Sequence, residues 1–152
     1  TYTTARLPVM SGAVAGITSG AGPGSLAAPG GSPPGPRFAR MVARAIISAL
    51  GHADEVPSPS FTIIETYPSP PLRLPVVHAD FYRLERPEEC AELGLEEYRE
   101  GAVLIAEWPE HAGGFSHEPA CLAIALEMVG ESGAGGRIAI ARGGADWLGR
   151  MP

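Results

Sequence analysis

The stretch Ala102-Val103-Leu104-Ile105-Ala106-Glu107-Trp108-Pro109 decides the fold. Its uninterrupted apolar run suits a strand covered on both faces of a sheet. The strand must stop at Trp108, because Pro109 restricts the residue before it and removes a ladder donor. Glu107 is thereby set at the end of a core strand, where open α/β sheets build their sites. A second stretch repeats the pattern. Leu74 to His78 is a short apolar run, and Asp80 follows it within His78-Ala79-Asp80-Phe81-Tyr82-Arg83-Leu84. Two carboxylates meeting at one sheet edge suggest a divalent metal and phosphate chemistry.

Working outward, Phe38 to Leu50 is predicted as a helix, with Val42, Ala45, Ile46, Ala49 and Leu50 on one face and Gly51 as its stop. Phe61 to Tyr67 is rich in β-branched and aromatic residues and reads as a strand. Pro87 to Arg99 reads as helical, with Pro at its start, Glu in its first turn and Gly94 as a candidate break. Cys121 to Met128 and Arg137 to Arg142 read as a terminal hairpin. The predicted class is α/β, a mixed sheet flanked by few helices.

The N-terminal part is unlike the rest. Residues 7–36 contain no charged residue, and residues 8–36 hold eight Gly and six Pro. That composition argues against both a helix and a central strand. Residues 1–36 are therefore expected to be a degraded or disordered segment, and residues 37–152 the folded domain.

A chain of 152 residues suffices for one core. Its net charge of −6 argues against a broad electrostatic footprint on nucleic acid, so any link to RNA runs through a partner protein. Cys90 and Cys121 form no zinc spacing and read as reduced thiols of a cytosolic protein. No apolar run approaches the roughly 20 residues of a membrane span. The N-terminus lacks the layout of a secretory signal and an initiator Met, so the chain is read as a possible fragment. All eleven basic residues other than histidine are arginines. This bias reflects a GC-rich gene, and it removes the lysine on which phosphate chemistry usually relies.

Several residues carry two readings each. Asp80 suits a metal ligand, or a turn residue capping Phe81-Tyr82 or pairing with Arg83. His78 shares the face of Asp80 if the strand continues, as ligand, as support for a ligand, or as a buried structural histidine. Glu107 suits the orientation of a water or the support of a metal, or is a surface residue at a strand end. Trp108 suits the flank of a bound base, or partial burial under a loop. Pro57-Ser58-Pro59-Ser60-Phe61-Thr62 is a rigid, hydroxyl-rich loop in which Ser60 and Thr62 alternate with Phe61, as a ligand contact or as turn chemistry. Glu110 and His111 read as solvated residues opening a short turn. No Ser sits in a G-x-S-x-G elbow, and neither Cys lies in an evident basic niche.

Val56-Pro57-Ser58-Pro59-Ser60-Phe61-Thr62, then His78-Ala79-Asp80-Phe81-Tyr82-Arg83-Leu84, then Leu93-Gly94-Leu95-Glu96-Glu97-Tyr98, then Ile105-Ala106-Glu107-Trp108-Pro109-Glu110 occur in this order. Order and spacing resemble the TsaE (YjeE) family of small bacterial P-loop ATPases over about residues 38–128. The resemblance implies a three-layer P-loop NTPase-like fold and Mg²⁺-dependent use of ATP in support of tRNA threonylcarbamoylation. It implies TsaD-like and TsaB-like partner proteins, with tRNA met only indirectly, and no membrane. By the same resemblance, Ser60 falls where the family has a switch-loop Thr near the metal. Asp80 matches its metal-associated Asp, Glu107 its catalytic Glu, which also supports the metal, and Trp108 its neighbouring Trp at the nucleotide.

The departure lies upstream. The phosphate loop, G-x-x-x-x-G-K-[ST], belongs just before the Phe38 helix, where its Lys would reach the β/γ-phosphates. Here that position is Pro- and Gly-rich without Lys, and no phosphate-loop residue is identifiable. Arg37 or Arg40 offers charge, but a guanidinium is broader than an ammonium. Three accounts follow: a reading-frame error compensated near Arg37, a decayed copy, or a non-hydrolysing relative that keeps its partner surface. The frame account is preferred. An uncharged Gly/Pro/Ala/Ser block is what an out-of-frame GC-rich gene gives. The code also allows Gly22-Pro23-Gly24-Ser25-Leu26, read one base earlier, to spell Gly-Ala-Gly-Lys-Ser/Thr. The expectation is an ATPase subunit impaired as written. The rival is a non-catalytic module docking on the transferase proteins, and a weaker third is a metal hydrolase using His78, Asp80 and Glu107.

Overall fold

A computed structural model of the chain describes residues 14–19, 37–129 and 136–150. The strands are β1 (Val14–Ser19), β2 (Ile64–Tyr67), β3 (Val76–Asp80), β4 (Val103–Glu107), β5 (Cys121–Val129) and β6 (Gly136–Gly143). The helices are α1 (Arg37–Ala49), α2 (Glu89–Glu92) and α3 (Leu95–Arg99), with 3₁₀ turns at Phe81–Arg83, Pro109–Ala112 and Ala145–Trp147. The strands form one six-stranded sheet in the order β2-β3-β4-β1-β5-β6. The inner four run parallel, and the two edge strands are antiparallel to their neighbours.

Alternation along the strands splits the core into two layers. Ile17, Val76 and Ile105 face α1 and pack with Ala39, Ala43, Ile47 and Leu50. Val77, Ala79, Leu104 and Ala106 face the other way and pack with Phe81, Leu84, Leu95 and Phe115. Helix α1 covers one face of the sheet and the α2–α3 region the other, so the expected three-layer α/β architecture is present.

Three expectations are corrected. The first concerns residues 7–36, where composition argued against a central strand. β1 lies within them and is the sheet's central parallel strand, Val14 standing level with both Leu104 and Cys121. Its six residues include Val, Ile and Thr and a single Gly, a locally strand-compatible run inside a segment dominated elsewhere by Gly and Pro. A Cβ at Gly16 would stand 3.4 Å from the Pro109 ring, close to ordinary van der Waals contact. Residues 20–36, where the phosphate loop was sought, lie outside the described residues.

The second concerns the strand predicted from Phe61. It begins only at Ile64, because Phe61 and Thr62 belong to a turn closed by Ile63 N–H donating to Pro59 O at 2.6 Å. Ile63 adopts φ 66°, a conformation that β-branched residues rarely take. The Ile63 carbonyl accepts from Asp80 N–H at 2.9 Å, tying the loop to the end of β3.

The third concerns α1. Its buried stripe is Ala39, Ala43, Ile47 and Leu50, with Val42 and Ile46 half-buried, while Ala45 and Ala49 are exposed. The helical break at Gly94 is as predicted, with Gly94 at φ 67° between α2 and α3.

Candidate functional site

The inner strands are parallel, so the C-terminal ends of β1, β3 and β4 share one edge of the sheet. β3 ends at Asp80 and β4 at Glu107, and the register sets these two residues side by side. On its other side Glu107 is level with Ile17 of β1. Alternation places His78, Asp80, Ile105 and Glu107 on the face covered by α1.

Asp80 is 3% exposed. Its Oδ2 accepts from Ser60 Oγ at 2.8 Å, and its Oδ1 accepts from Tyr82 N–H at 3.1 Å. It therefore caps the Phe81–Arg83 turn, as one of its two readings holds, and also belongs to a polar cluster. Of the two partners that reading offered, the cap is the one present; Arg83 Nη1 donates instead to Ser60 O at 3.4 Å.

Ser60 is the hub of the cluster. Besides Asp80 it meets Ser58 Oγ at 2.6 Å and accepts from Arg40 Nη2 at 3.3 Å. Arg40 comes from the first turns of α1, so the loop, the helix and the end of β3 converge on one hydroxyl. Thr62 does not join Ser60. It is exposed and turned toward Glu65, at 3.5 Å, because the chain bends at Ile63 instead of continuing extended.

Glu107 is fully buried, not a surface residue at a strand end. Its Oε1 lies 2.8 Å from His78 Nε2, and both side chains are 0% exposed. Among the described residues, Glu107 Oε2 and His78 Nδ1 have no hydrogen-bond partner.

Trp108 is half-buried at φ 55° and opens the Pro109–Ala112 turn. Its ring lies 5.3 Å from that of Tyr82 and 5.8 Å from that of His111. The His111 ring stacks on Tyr82 and its Nδ1 donates to Leu84 O at 3.0 Å. His111 is thus a packed member of an aromatic group, not the solvated residue its sequence context suggests. Sequence reasoning also passed over Tyr82 and Ser58. Tyr82 directly follows the Asp80-Phe81 pair, and an aromatic beside a strand-end carboxylate was the available signal.

Among the described residues, no three His, Cys, Asp or Glu side chains gather closely enough to hold a metal ion unaided. The oxygens of Ser60 and Asp80, with Glu107 alongside, are the hard donors that Mg²⁺ takes when water and phosphate complete its shell. A depression of about 440 Å³ lies elsewhere, lined by residues that include His52, Asp54, Glu65 and Tyr67, and none of the polar site residues borders it.

Comparison with known proteins gives a consistent result. The family model described as "Threonylcarbamoyl adenosine biosynthesis protein TsaE" matches residues 40–137. The protein named tRNA threonylcarbamoyladenosine biosynthesis protein TsaE from Rickettsia bellii is 42% identical over 60 residues, 40% of each chain. Its namesake from Haemophilus influenzae is 32% identical over 76 residues, 49% of this chain and 47% of that one. The namesake from Nostoc sp. is 41% identical over 66 residues, 40% of this chain and 39% of that one. The matched span is thus less than half the length of each relative. The crystal structure of Bacillus subtilis YdiB superposes with a TM-score of 0.52 at 24% identity, covering 91% of this chain and 73% of that one. That likeness concerns the fold alone.

Proposed function

Because this chain belongs to the TsaE family, we propose that it is the nucleotide-using subunit of a system that makes N6-threonylcarbamoyladenosine in tRNA, impaired as written for lack of a phosphate-binding lysine. The observation that carries the proposal is the convergence of Ser60, Asp80 and Glu107 at the carboxyl edge of the sheet, beside the end of β1. Ligands of open α/β sheets bind outside that edge. Mg²⁺ would be held there by Ser60 and Asp80, with Glu107 in support, and would neutralise phosphate charge. Trp108, grouped with Tyr82 and His111, offers a ring for the base of ATP.

The chain's own residues set the limits of its chemistry. Arg40 is engaged with Ser60 and presents a broad guanidinium in place of a point charge. Losing one preorganised donor to transferring phosphoryl oxygens costs about 3 kcal/mol, on the order of a hundredfold in rate. TsaD-like and TsaB-like proteins in the cytoplasm would be the partners, and tRNA would be met only through them. Among the described residues no helix is long and apolar enough to cross a membrane.

One observation favours a second reading, a docking module without turnover: the chain contains no lysine at all. Two measurements separate the readings. Steady-state hydrolysis at saturating Mg·ATP is expected to be at least about a hundredfold below that of a relative with an intact loop, and ordinary family-level turnover would refute the impairment. Complex formation with the transferase pair is expected to depend on nucleotide. Binding indifferent to nucleotide and to Asp80→Ala would establish the docking module instead.

A further inference from the structure

The contact between His78 and Glu107 carries more than the sequence assigned to either residue. The imidazole and carboxylate are fully buried and 2.8 Å apart. The pair shares one hydrogen, and a carboxylate at Glu107 would accept it from His78 Nε2. The bond uses one oxygen of Glu107 and, among the described residues, leaves Oε2 without a partner. Partners are almost always found for buried polar atoms. An orphaned carboxylate oxygen beside the ends of β1 and β3 is therefore informative. The two strands also fix the pair rigidly: His78 is level with Ile105, two residues before Glu107, on the same face. His78 thus reaches diagonally along one face of the sheet to the Glu107 carboxylate.

We infer that His78 is a positioning residue for Glu107, holding Oε1 so that Oε2 is presented to the bound nucleotide's metal or water. This inference rests on the nucleotide-using reading above. Hydrogen-bonded partners of this kind orient acidic side chains at metal sites, and their loss typically weakens metal affinity or activity by about 10–100-fold.

The test uses the full chain and three substitutions: His78→Leu, His78→Gln and Glu107→Gln. Gln at position 78 can return an N–H donor near the place of Nε2, whereas Leu cannot. The first readout is Mg²⁺-dependent binding of a fluorescent ADP analogue. His78→Leu is expected to reduce the Mg²⁺ enhancement of affinity about tenfold, His78→Gln to restore most of it, and His78→Leu to have no further effect once Glu107→Gln is present. A further loss in the Glu107→Gln background, or equal losses for Leu and Gln, would overturn the inference, because His78 would then act independently or only as packing. The second readout needs no nucleotide. Long-range ¹⁵N spectra of the imidazole are expected to show His78 protonated at Nε2 in the wild type, and an altered His78 signal in Glu107→Gln. A spectrum showing Nδ1–H in the wild type would overturn the inference outright. If the wild type binds no nucleotide with Mg²⁺ present, the nucleotide-using reading fails and the assignment of Oε2 falls with it, while the imidazole spectrum still decides whether His78 holds Glu107.

Discussion

Replacing His78 and Glu107 together by apolar residues of similar size should leave the protein as stable as the wild type or more so, although either replacement alone should be damaging. The side chains are 0% exposed, and the contact satisfies one polar atom of each while Nδ1 and Oε2 find no partner among the described residues. His78→Leu alone strands a buried carboxylate, at a cost of about 3–5 kcal/mol. Glu107→Met alone strands a buried imidazole, at about 1–3 kcal/mol. If the effects added, the double variant would lose about 4–8 kcal/mol, comparable with the whole stability of a small domain. Desolvation penalties disappear when both polar groups go, and such double replacements are commonly neutral or stabilising by about 1–4 kcal/mol. Urea unfolding followed by tryptophan fluorescence reads the difference. With an m-value of about 2 kcal/mol/M, His78→Leu should lower the midpoint by about 2 M and the double variant should restore it. A double variant as unstable as the sum of the two singles would refute the argument, because the pair would then be contributing stability beyond its own desolvation. The expected outcome would mean that the polar pair is retained at the expense of stability, as is common at functional sites.

Ser60→Ala removes the donor to Asp80 and the acceptor for Arg40, and should cost about 1–2 kcal/mol in thermal unfolding. Ser60→Thr keeps the hydroxyl and should retain Mg²⁺-dependent ADP binding that Ser60→Ala weakens. Gly94→Ala meets open space at φ 67°, so calorimetry should find only the backbone penalty of about 1 kcal/mol. Gly144→Ala would put its Cβ 2.5 Å from Pro119 O, and should cost more than Gly94→Ala in the same calorimetry. Burial, then Glu118, pushes the Cys121 thiol above 9.0, and burial, then Glu96, does the same for Cys90. The unfolded chain ionises these thiols before the folded one does. Their contribution is therefore constant below about pH 9 and falls as pH rises further. Reaction with a disulfide reagent at pH 8 should be at least several-fold slower in the native protein than in denaturant, and equal rates would contradict the burial.

The legible parts of the sequence were those in which one local signal prevailed. β4 was readable because an apolar run meets Pro109, and the α2–α3 break because Gly94 interrupts a helical pattern. β1 was hidden because composition was averaged over a segment far longer than a six-residue strand. The strand signal runs ahead of β2 because Phe61, Thr62 and Ile63 all favour strands, yet the Ser-Pro-Ser loop closes a turn through Ile63 N–H and Pro59 O. For the site, the residue types were legible and their partners were not. Whether Ser60 meets Asp80 depends on a turn, and whether His78 meets Glu107 depends on β3 and β4 being neighbours in a particular register. Neither fact has a short-range signal in the chain.

The central place of β1 also bears on how the molecule is made. Val14 leaves the ribosome well before its partners Leu104 and Cys121. At ordinary synthesis rates it waits on the order of 5–20 s for them. For most of that interval β1 has neither neighbour, and after β4 emerges the other edge of β1 stays open until β5 follows. Unpaired strand edges recruit other chains. Contacts this distant in sequence also form slowly. The interval before β1 is captured between β4 and β5 is therefore when newly made chains are most prone to aggregate and most in need of a chaperone.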